Sequence, residues 1–298
     1  MLDTPKHHCI FVGRSGLINH SYCDDKEQSP RLIMSFRDYF VSLTASNKTN
    51  CMKRIITSLL ALLGLAACSQ QGFENVEVDS FTTQSGKTVK IHALVHSSMR
   101  IDFDGTEIEI DPVSKLGEKT IDYTAMPKAD YIFITHEHFD HLDTTAINTL
   151  TGENTQLITN QSCADILGYG TVMANGDILQ LADDITVEAF PAYNTSEGHQ
   201  DFHPKGRDNG FILTLDGLRI YIAADTEDIP EMANIKDIDI AFLPCNQPYT
   251  MTVDQLVNAA QMVKPKVLFP YHYGQTDVSG IPSQLEADGI EVRITHYE

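Results

Sequence analysis

The chain has 298 residues with 41 acidic against 21 basic side chains, a formal net charge of −20. A surface this acidic repels phosphate backbones, so nucleic acid is excluded as the expected partner. Six cysteines in a chain of this length do not suggest a disulfide framework.

Residues 1–51 show no sustained periodicity and carry scattered cysteines at Cys9, Cys23 and Cys51. They read as an upstream extension outside the mature protein, either translated from a start placed too early or a small regulatory segment. Met52-Lys53-Arg54 then opens a basic start, and Ile55 to Ala67 is an apolar run too short to span a membrane, so 52–67 reads as a signal peptide. Leu65-Ala66-Ala67-Cys68 resembles a bacterial lipobox, which implies lipidation at Cys68, a tether over 68–73, and a place on the cell envelope, on the periplasmic or surface side. The membrane would be met through that anchor alone. A cytoplasmic protein starting at Met1, with the apolar run internal, is the alternative. From Cys68 onward 36 acidic residues face 13 basic ones, and the 231 residues can bury one sizeable core, assigned to 74–298. Cys163 and Cys245 read as small buried hydrophobes.

Within that core, Val76 to Thr83 and Thr88 to Val95 alternate around Ser85-Gly86, and Met99 to Phe103 and Glu107 to Ile110 flank Asp104-Gly105. The four make a meander that delivers His96 to one strand end and Asp111, before Pro112, to another. Lys115 to Met126 is a polar connection that could border a site. Ala129 to Ile134 is short and apolar, the pattern of a buried strand. A helix starts at Thr144 to Leu150; Gln156 to Thr159 is a strand and Ser162 to Leu167 a short helix. Ile178 to Leu181 and Ile185 to Phe190 are further strands. Pro191-Ala192-Tyr193-Asn194 opens a polar loop running through His199 and His203-Pro204-Lys205-Gly206 to Asn209-Gly210. Phe211 to Leu215 and Leu218 to Ala223 form a hairpin that puts Asp225 at a strand end. Ile238 to Leu243 is stopped by Pro244 before Cys245-Asn246, Val253 to Met262 has helical spacing, and Lys266 to Pro270 carries His272. Hairpins alternating with isolated helices fit an α+β class with mixed sheets inside and helices outside.

At the end of the 129–134 strand stands Thr135-His136-Glu137-His138-Phe139-Asp140-His141. Residues two apart in an extended segment share a side, so His136 and His138 can grip one cation while Asp140 and His141, past a bend, grip a second. The helical zincin motif is excluded, because Asp140 stands where its second histidine would be needed. The H-x-H-x-D-H spacing resembles the signature of the metallo-β-lactamase superfamily. Ile222-Ala223-Ala224-Asp225-Thr226, similar to that family's G-D-T segment, and Pro270-Tyr271-His272-Tyr273-Gly274 follow in the expected order. His96-Ser97-Ser98 with Ile110-Asp111-Pro112 is similar to the branch of predicted metal-dependent hydrolases related to ascorbate-phosphate lactonases and to phospholipases of the N-acylethanolamine pathway. The resemblance covers roughly 73–298 and implies a four-layer αββα sandwich.

Two divalent ions, zinc ahead of manganese or iron, would be held by His136, His138 and one more histidine at the first site and by Asp140, His141 and His272 at the second, with Asp225 bridging. Asp140 and Asp225 count as catalytic as well as ligating. In the phospholipase relatives a histidine directly follows a Pro-Ala-x segment, and here Asn194 holds that place. His203 is expected to substitute, because its His-Pro-Lys-Gly loop is similar to the hydrolase branch. His199, or a reduced site completed by Asn194 or water, stays open. His96 and Asp111 are expected to contact substrate or to sit behind the ligands, and Asp143 to orient a histidine or cap a helix. Tyr193, Asn194, Asn246 and Tyr271 could donate to an oxyanion, and Lys205 and Arg207 could meet an anionic group. The implied activity is hydrolysis of an ester, lactone, amide or phosphodiester bond in a small or lipid-like substrate. The alternatives are a metal-binding or ligand-binding lipoprotein without turnover and a β-lactamase proper.

Overall fold

The computed structural model describes residues 76–296, together with a short antiparallel pair formed by Phe11–Val12 and Ile18–Asn19. The chain divides into two units, Met1–Gly64 and Leu65–Glu298. The leader, Cys68 and the tether expected from the sequence lie outside the described residues. Among the described residues no helix is long and apolar enough to cross a membrane.

Two seven-stranded sheets make up the second unit. The first holds β1 (Glu77–Thr82), β2 (Thr88–Val95), β3 (Ser98–Phe103), β4 (Thr106–Ile110), β5 (Ala129–Ile134), β6 (Thr151–Thr159) and β7 (Thr171–Val172), arranged side by side in chain order. The second holds β8 (Ile178–Ala182), β9 (Ile185–Ala192), β10 (Asp208–Leu215), β11 (Leu218–Ile222), β12 (Ile240–Pro244), β13 (Val267–Tyr271) and β14 (Glu291–Val292), again in chain order. Both sheets follow one plan, a four-stranded antiparallel meander continued by three parallel strands. Parallel strands need crossovers, and these supply the outer helices α1 (Thr144–Leu150), α2 (Gln161–Leu167), α3 (Val253–Val263) and α4 (Ile281–Leu285).

The main core lies between the inner faces, where Ile101, Ile110 and Phe133 of the first sheet meet Phe211, Ile222 and Phe242 of the second. Phe133 and Phe211 pack edge to face at 5.1 Å, an arrangement that adds about 0.5–1.5 kcal/mol beyond area burial. A second cluster sits on the outer face of the first sheet, with Ile132, Ile134 and Leu157 under Ala146, Ile147 and Leu150 of α1 and Cys163 of α2. The strand β5 is thus buried on both faces, which explains why it reads as a continuous apolar run rather than an alternating one. The αββα sandwich expected from the sequence is the fold observed.

Differences from the sequence reading are local. The strand expected over Gln156 to Thr159 starts at Thr151, with an irregularity in register before Gln156. The polar connection after Asp111 contains a small hairpin, Lys115–Leu116 with Lys119–Thr120. The two-residue strands β7 and β14 and the helix α4 carry no periodic signal in the sequence. Gly210 marks a close approach, since a Cβ there would lie 2.8 Å from the carbonyl oxygens of both Ile222 and Ala223. Those oxygens are backbone and cannot swing away. Gly210→Ala is therefore expected to destabilise the fold by about 1–3 kcal/mol, read as a lower denaturant midpoint with the slope unchanged.

Candidate metal centre

The candidate side chains leave their strands at one edge of the sandwich. His96 follows β2, Asp111 follows β4, the 136–141 segment follows β5, Asn194 follows β9, Asp225 follows β11, Asn246 follows β12 and His272 follows β13. Hydrogen bonds lock the two sheets together at that edge, Asn209 N–H to Thr135 O at 3.2 Å and His272 N–H to His96 O at 3.4 Å. Four residues there take left-handed backbone angles: His96 (φ 58°), Asp111 (φ 42°), Ala224 (φ 59°) and His272 (φ 49°). Such a conformation costs a non-glycine residue about 1–2 kcal/mol. Its concentration at one edge marks a place where side-chain position outranks backbone comfort.

The ligand-type side chains fall into two groups, His136, His138, His203 and Asp225, and His96, Asp140, His141 and His272, each with its donor atoms within 4.8 Å of one another. In the first, His203 Nε2 stands 3.3 Å from His138 Nδ1 and 3.4 Å from Asp225 Oδ2, and His136 Nε2 is 3.9 Å from Asp225 Oδ2. In the second, His96 Nε2 is 3.3 Å and His272 Nε2 3.9 Å from Asp140 Oδ2. Asp225 reaches across to this group as well, with Oδ1 3.4 Å from His141 Nε2 and Oδ2 3.2 Å from His272 Nε2. Its carboxylate stands between the two groups.

Electrostatics at the cluster are opposed by burial. Burial alone would raise the Asp225 pKa, but the charges of His272 and His141 hold it well below the ordinary carboxylate range. Burial would lower that of His141, yet Asp225 and Asp111 raise it well above its usual value. His203 is brought down to about 4, chiefly by burial, and His136 falls well below the ordinary imidazole range by burial and by the neighbouring His141. For Asp140, burial is outweighed by the hydrogen bond from His96 and the charge of His141, so it stays ionised.

These residues fit divalent cations on their own chemistry. Ligands at about 2.0–2.1 Å from a tetrahedral ion lie about 3.3–3.4 Å from one another, and most of the separations above are of that size. The ring nitrogens of His203 and His141 that face away from the cluster are anchored. His203 Nδ1 lies 3.1 Å from Tyr249 O and 3.3 Å from Asn194 Oδ1, two acceptors, so it carries the proton and leaves Nε2 as a lone pair. His141 Nδ1 donates to Asp111 Oδ2 at 2.8 Å, and Asp111 is fixed in turn by Thr135 N–H at 2.8 Å and Thr135 Oγ1 at 2.6 Å. His136 Nε2, fully buried, has no hydrogen-bond partner.

The structure thus brings together His136, His138, Asp140, His141, His203, Asp225 and His272. It also puts His96 among the donor atoms of the second group, where the sequence suggested a substrate contact or a place behind the ligands. Asp143 orients no histidine: it caps α1 through Thr145 and Ala146 N–H and accepts from Ser114, while the histidine-orienting carboxylate is Asp111. Asn194 acts on His203 instead of replacing it, and its Nδ2 donates to Tyr249 O at 2.8 Å. His199 stands outside both groups, 3.5 Å from Glu227. Tyr193 turns its hydroxyl to Glu231 and Lys205, and Tyr271 is buried in the main core; neither lines the cleft. The expected anion contacts are committed elsewhere, Lys205 to Glu231 at 2.7 Å and Arg207 to Asp208 and Glu137. Asn246 does line the cleft, a space of about 510 Å³ that opens over the cluster. Phe139, Phe202 and Tyr249 also line it and carried no signal in the sequence beyond their adjacency to motif residues.

Residues 90–272 match the family model described as a beta-lactamase superfamily domain. A UPF0173 metal-dependent hydrolase of Ignicoccus hospitalis is 30% identical over 227 residues, 70% of this chain and 94% of that protein. One of Archaeoglobus fulgidus is 30% identical over 181 residues, 56% of this chain and 78% of its own length. Among solved structures, a provisionally assigned metal-dependent hydrolase from Parabacteroides distasonis is 51% identical, covers 75% of this chain and 100% of its own, and superposes with a TM-score of 0.72. The metallo hydrolase Igni18 of Ignicoccus hospitalis gives 27% identity and a TM-score of 0.60 over 70% of this chain and 94% of its own. The chain belongs to the metallo-β-lactamase superfamily and, within it, to the UPF0173 metal-dependent hydrolases.

Proposed function

We propose that the protein is a binuclear zinc hydrolase, with His136, His138 and His203 at one ion, Asp140, His141 and His272 with His96 beside them at the other, and Asp225 shared. The observation that carries this reading is the Asp225 carboxylate, within 3.4 Å of donor nitrogens from both groups. Bound divalent ions supply Lewis acidity and a nucleophilic water at neutral pH. The protein contributes the arrangement. Asp111 and the Tyr249 carbonyl fix the tautomers of His141 and His203, Asp140 and Asp225 carry the compensating charge, and Asn246, which lines the cleft, is the proposed donor to an oxyanion. The kinship with lactonases and N-acylethanolamine-pathway phospholipases suggested by the sequence belongs to this proposal, as does a small or lipid-like substrate. Asn194 supports His203 by hydrogen bonding rather than taking its place in the ligand set.

The envelope location is part of the same reading, supported by the leader-like run and by Leu65-Ala66-Ala67-Cys68. Cells fed a fatty-acid probe are expected to label the protein, and Cys68→Ser to abolish the label; an unlabelled parent protein would remove the anchor.

Elemental analysis should find two zinc ions per chain, and dialysis against chelator should abolish turnover of a generic ester panel, with zinc restoring it. His203→Ala is expected to lose one ion, while His199→Ala keeps both. Asp111→Asn keeps the shape but loses the charge on His141, and should weaken metal affinity about 10–100-fold, measured by chelator competition.

A further inference from the structure

The cleft over the cluster joins an acidic floor to an aromatic wall. Its charged lining residues are Glu137, Asp140 and Asp225; Phe139, Phe202 and Tyr249 supply the apolar surface. Phe139 sits between His138 and Asp140 in the chain and is 79% exposed, although the neighbouring His141 is fully buried. Tyr249 is 47% exposed and packs edge to face with Phe202 at 5.2 Å. Large aromatic rings left in water next to a reactive cluster are the usual means of gripping an apolar substrate portion.

The two basic residues on the loop that carries His203 do not line the cleft. Lys205 is engaged by Glu231 and Tyr193, and Arg207 by Asp208, Glu137 and the Phe202 carbonyl at 2.9 Å. A phosphodiester, anionic before reaction, would find no guanidinium or ammonium partner among the lining residues. An uncharged carbonyl compound needs none, because it acquires charge only in the transition state.

Resting on the hydrolase reading above, we propose that the cleft takes an uncharged acyl ester, lactone or amide whose apolar arm lies against Phe139, Phe202 and Tyr249. In the reaction the oxygen of water bonds to the acyl carbon and the bond from that carbon to the leaving oxygen or nitrogen breaks. One proton of the water ends on the leaving group and the other is released with the carboxylate product. No oxidant, reductant or second substrate is required. The three aromatic residues set specificity, and they do so through the ground-state contact with the arm as well as its alignment over the cluster.

The test compares the zinc-loaded protein on p-nitrophenyl acetate, p-nitrophenyl hexanoate and bis-p-nitrophenyl phosphate, alongside Phe139→Ala and Tyr249→Ala. Phe139 is exposed and Tyr249 holds His203 through its backbone carbonyl, so neither substitution should disturb folding; zinc content and melting temperature check this. The expected result is a kcat/KM for hexanoate about 10-fold or more above that for acetate, with the phosphodiester poorer than both, and a hexanoate advantage that shrinks toward unity in each variant through KM. Preference for the phosphodiester, or a chain-length advantage unchanged in both variants, overturns the proposal. If the zinc-loaded protein turns over none of the three, the hydrolase reading fails, and calorimetry with the intact esters still decides on the cleft. Tighter binding of the hexanoate, weakened in both variants, supports the assignment; equal binding of acetate and hexanoate overturns it.

Discussion

A single buried carboxylate organises this edge of the protein. Asp225 is 3% exposed and stands in reach of His136, His141, His203 and His272, which arrive from three separate strand ends. A buried charge of that kind is tolerable only when it is paired or coordinates a cation. His141 faces that carboxylate on one ring nitrogen and Asp111 on the other, at 3.4 and 2.8 Å, and both carboxylates raise its pKa. Divalent ions bind neutral imidazole and ionised carboxylate, so metal affinity at a cluster of this composition falls as pH falls.

The rest of the fold can be understood as the means of bringing that carboxylate to its partners. Each sheet ends its meander in parallel strands, and parallel strands point their carboxyl ends the same way, so every βα or ββ connection at that edge can contribute a side chain. The edge is then stitched by Asn209 to Thr135 and His272 to His96. Left-handed backbone at His96, Asp111, Ala224 and His272 is the cost of aiming the side chains inward, and the two-sided core beneath β5 and β12 keeps the strained residues in place. Ala224 is the most telling of the four, because the similar family segment has glycine there, a residue free of the steric penalty that alanine meets.

Much of this was legible in the sequence. Long apolar strands and turn-flanked hairpins carry their period with them; β2 and β5 begin and end where the residues predict, and α1 begins there. The 136–141 segment is legible because its four donors are local, whereas Asp225 and His272 were found by their order relative to it. His203 over His199 could be argued from the resemblance of its His-Pro-Lys-Gly loop to the hydrolase branch but not decided, since both can reach back from one loop. Other features need three dimensions. Asp111 and Asp143 both precede or follow plausible partners in sequence, and only the fold tells which carboxylate meets His141. His96 is forty residues from the cluster, so its approach to Asp140 has no sequence signature. Two-residue strands are too short to show a period, and an isolated aromatic in a loop, such as Tyr249, looks the same whether it faces core or cleft.

The functional account depends on whether the two groups of donors around Asp225 hold one ion each. Anomalous diffraction from crystals of the zinc-loaded protein tests this most directly. Two peaks are expected, one within about 2.0–2.2 Å of the donor atoms of His136, His138 and His203 and the other at the same distance from Asp140, His141 and His272, with Asp225 touching both. A single peak, or two peaks with Asp225 bound to neither, would contradict it.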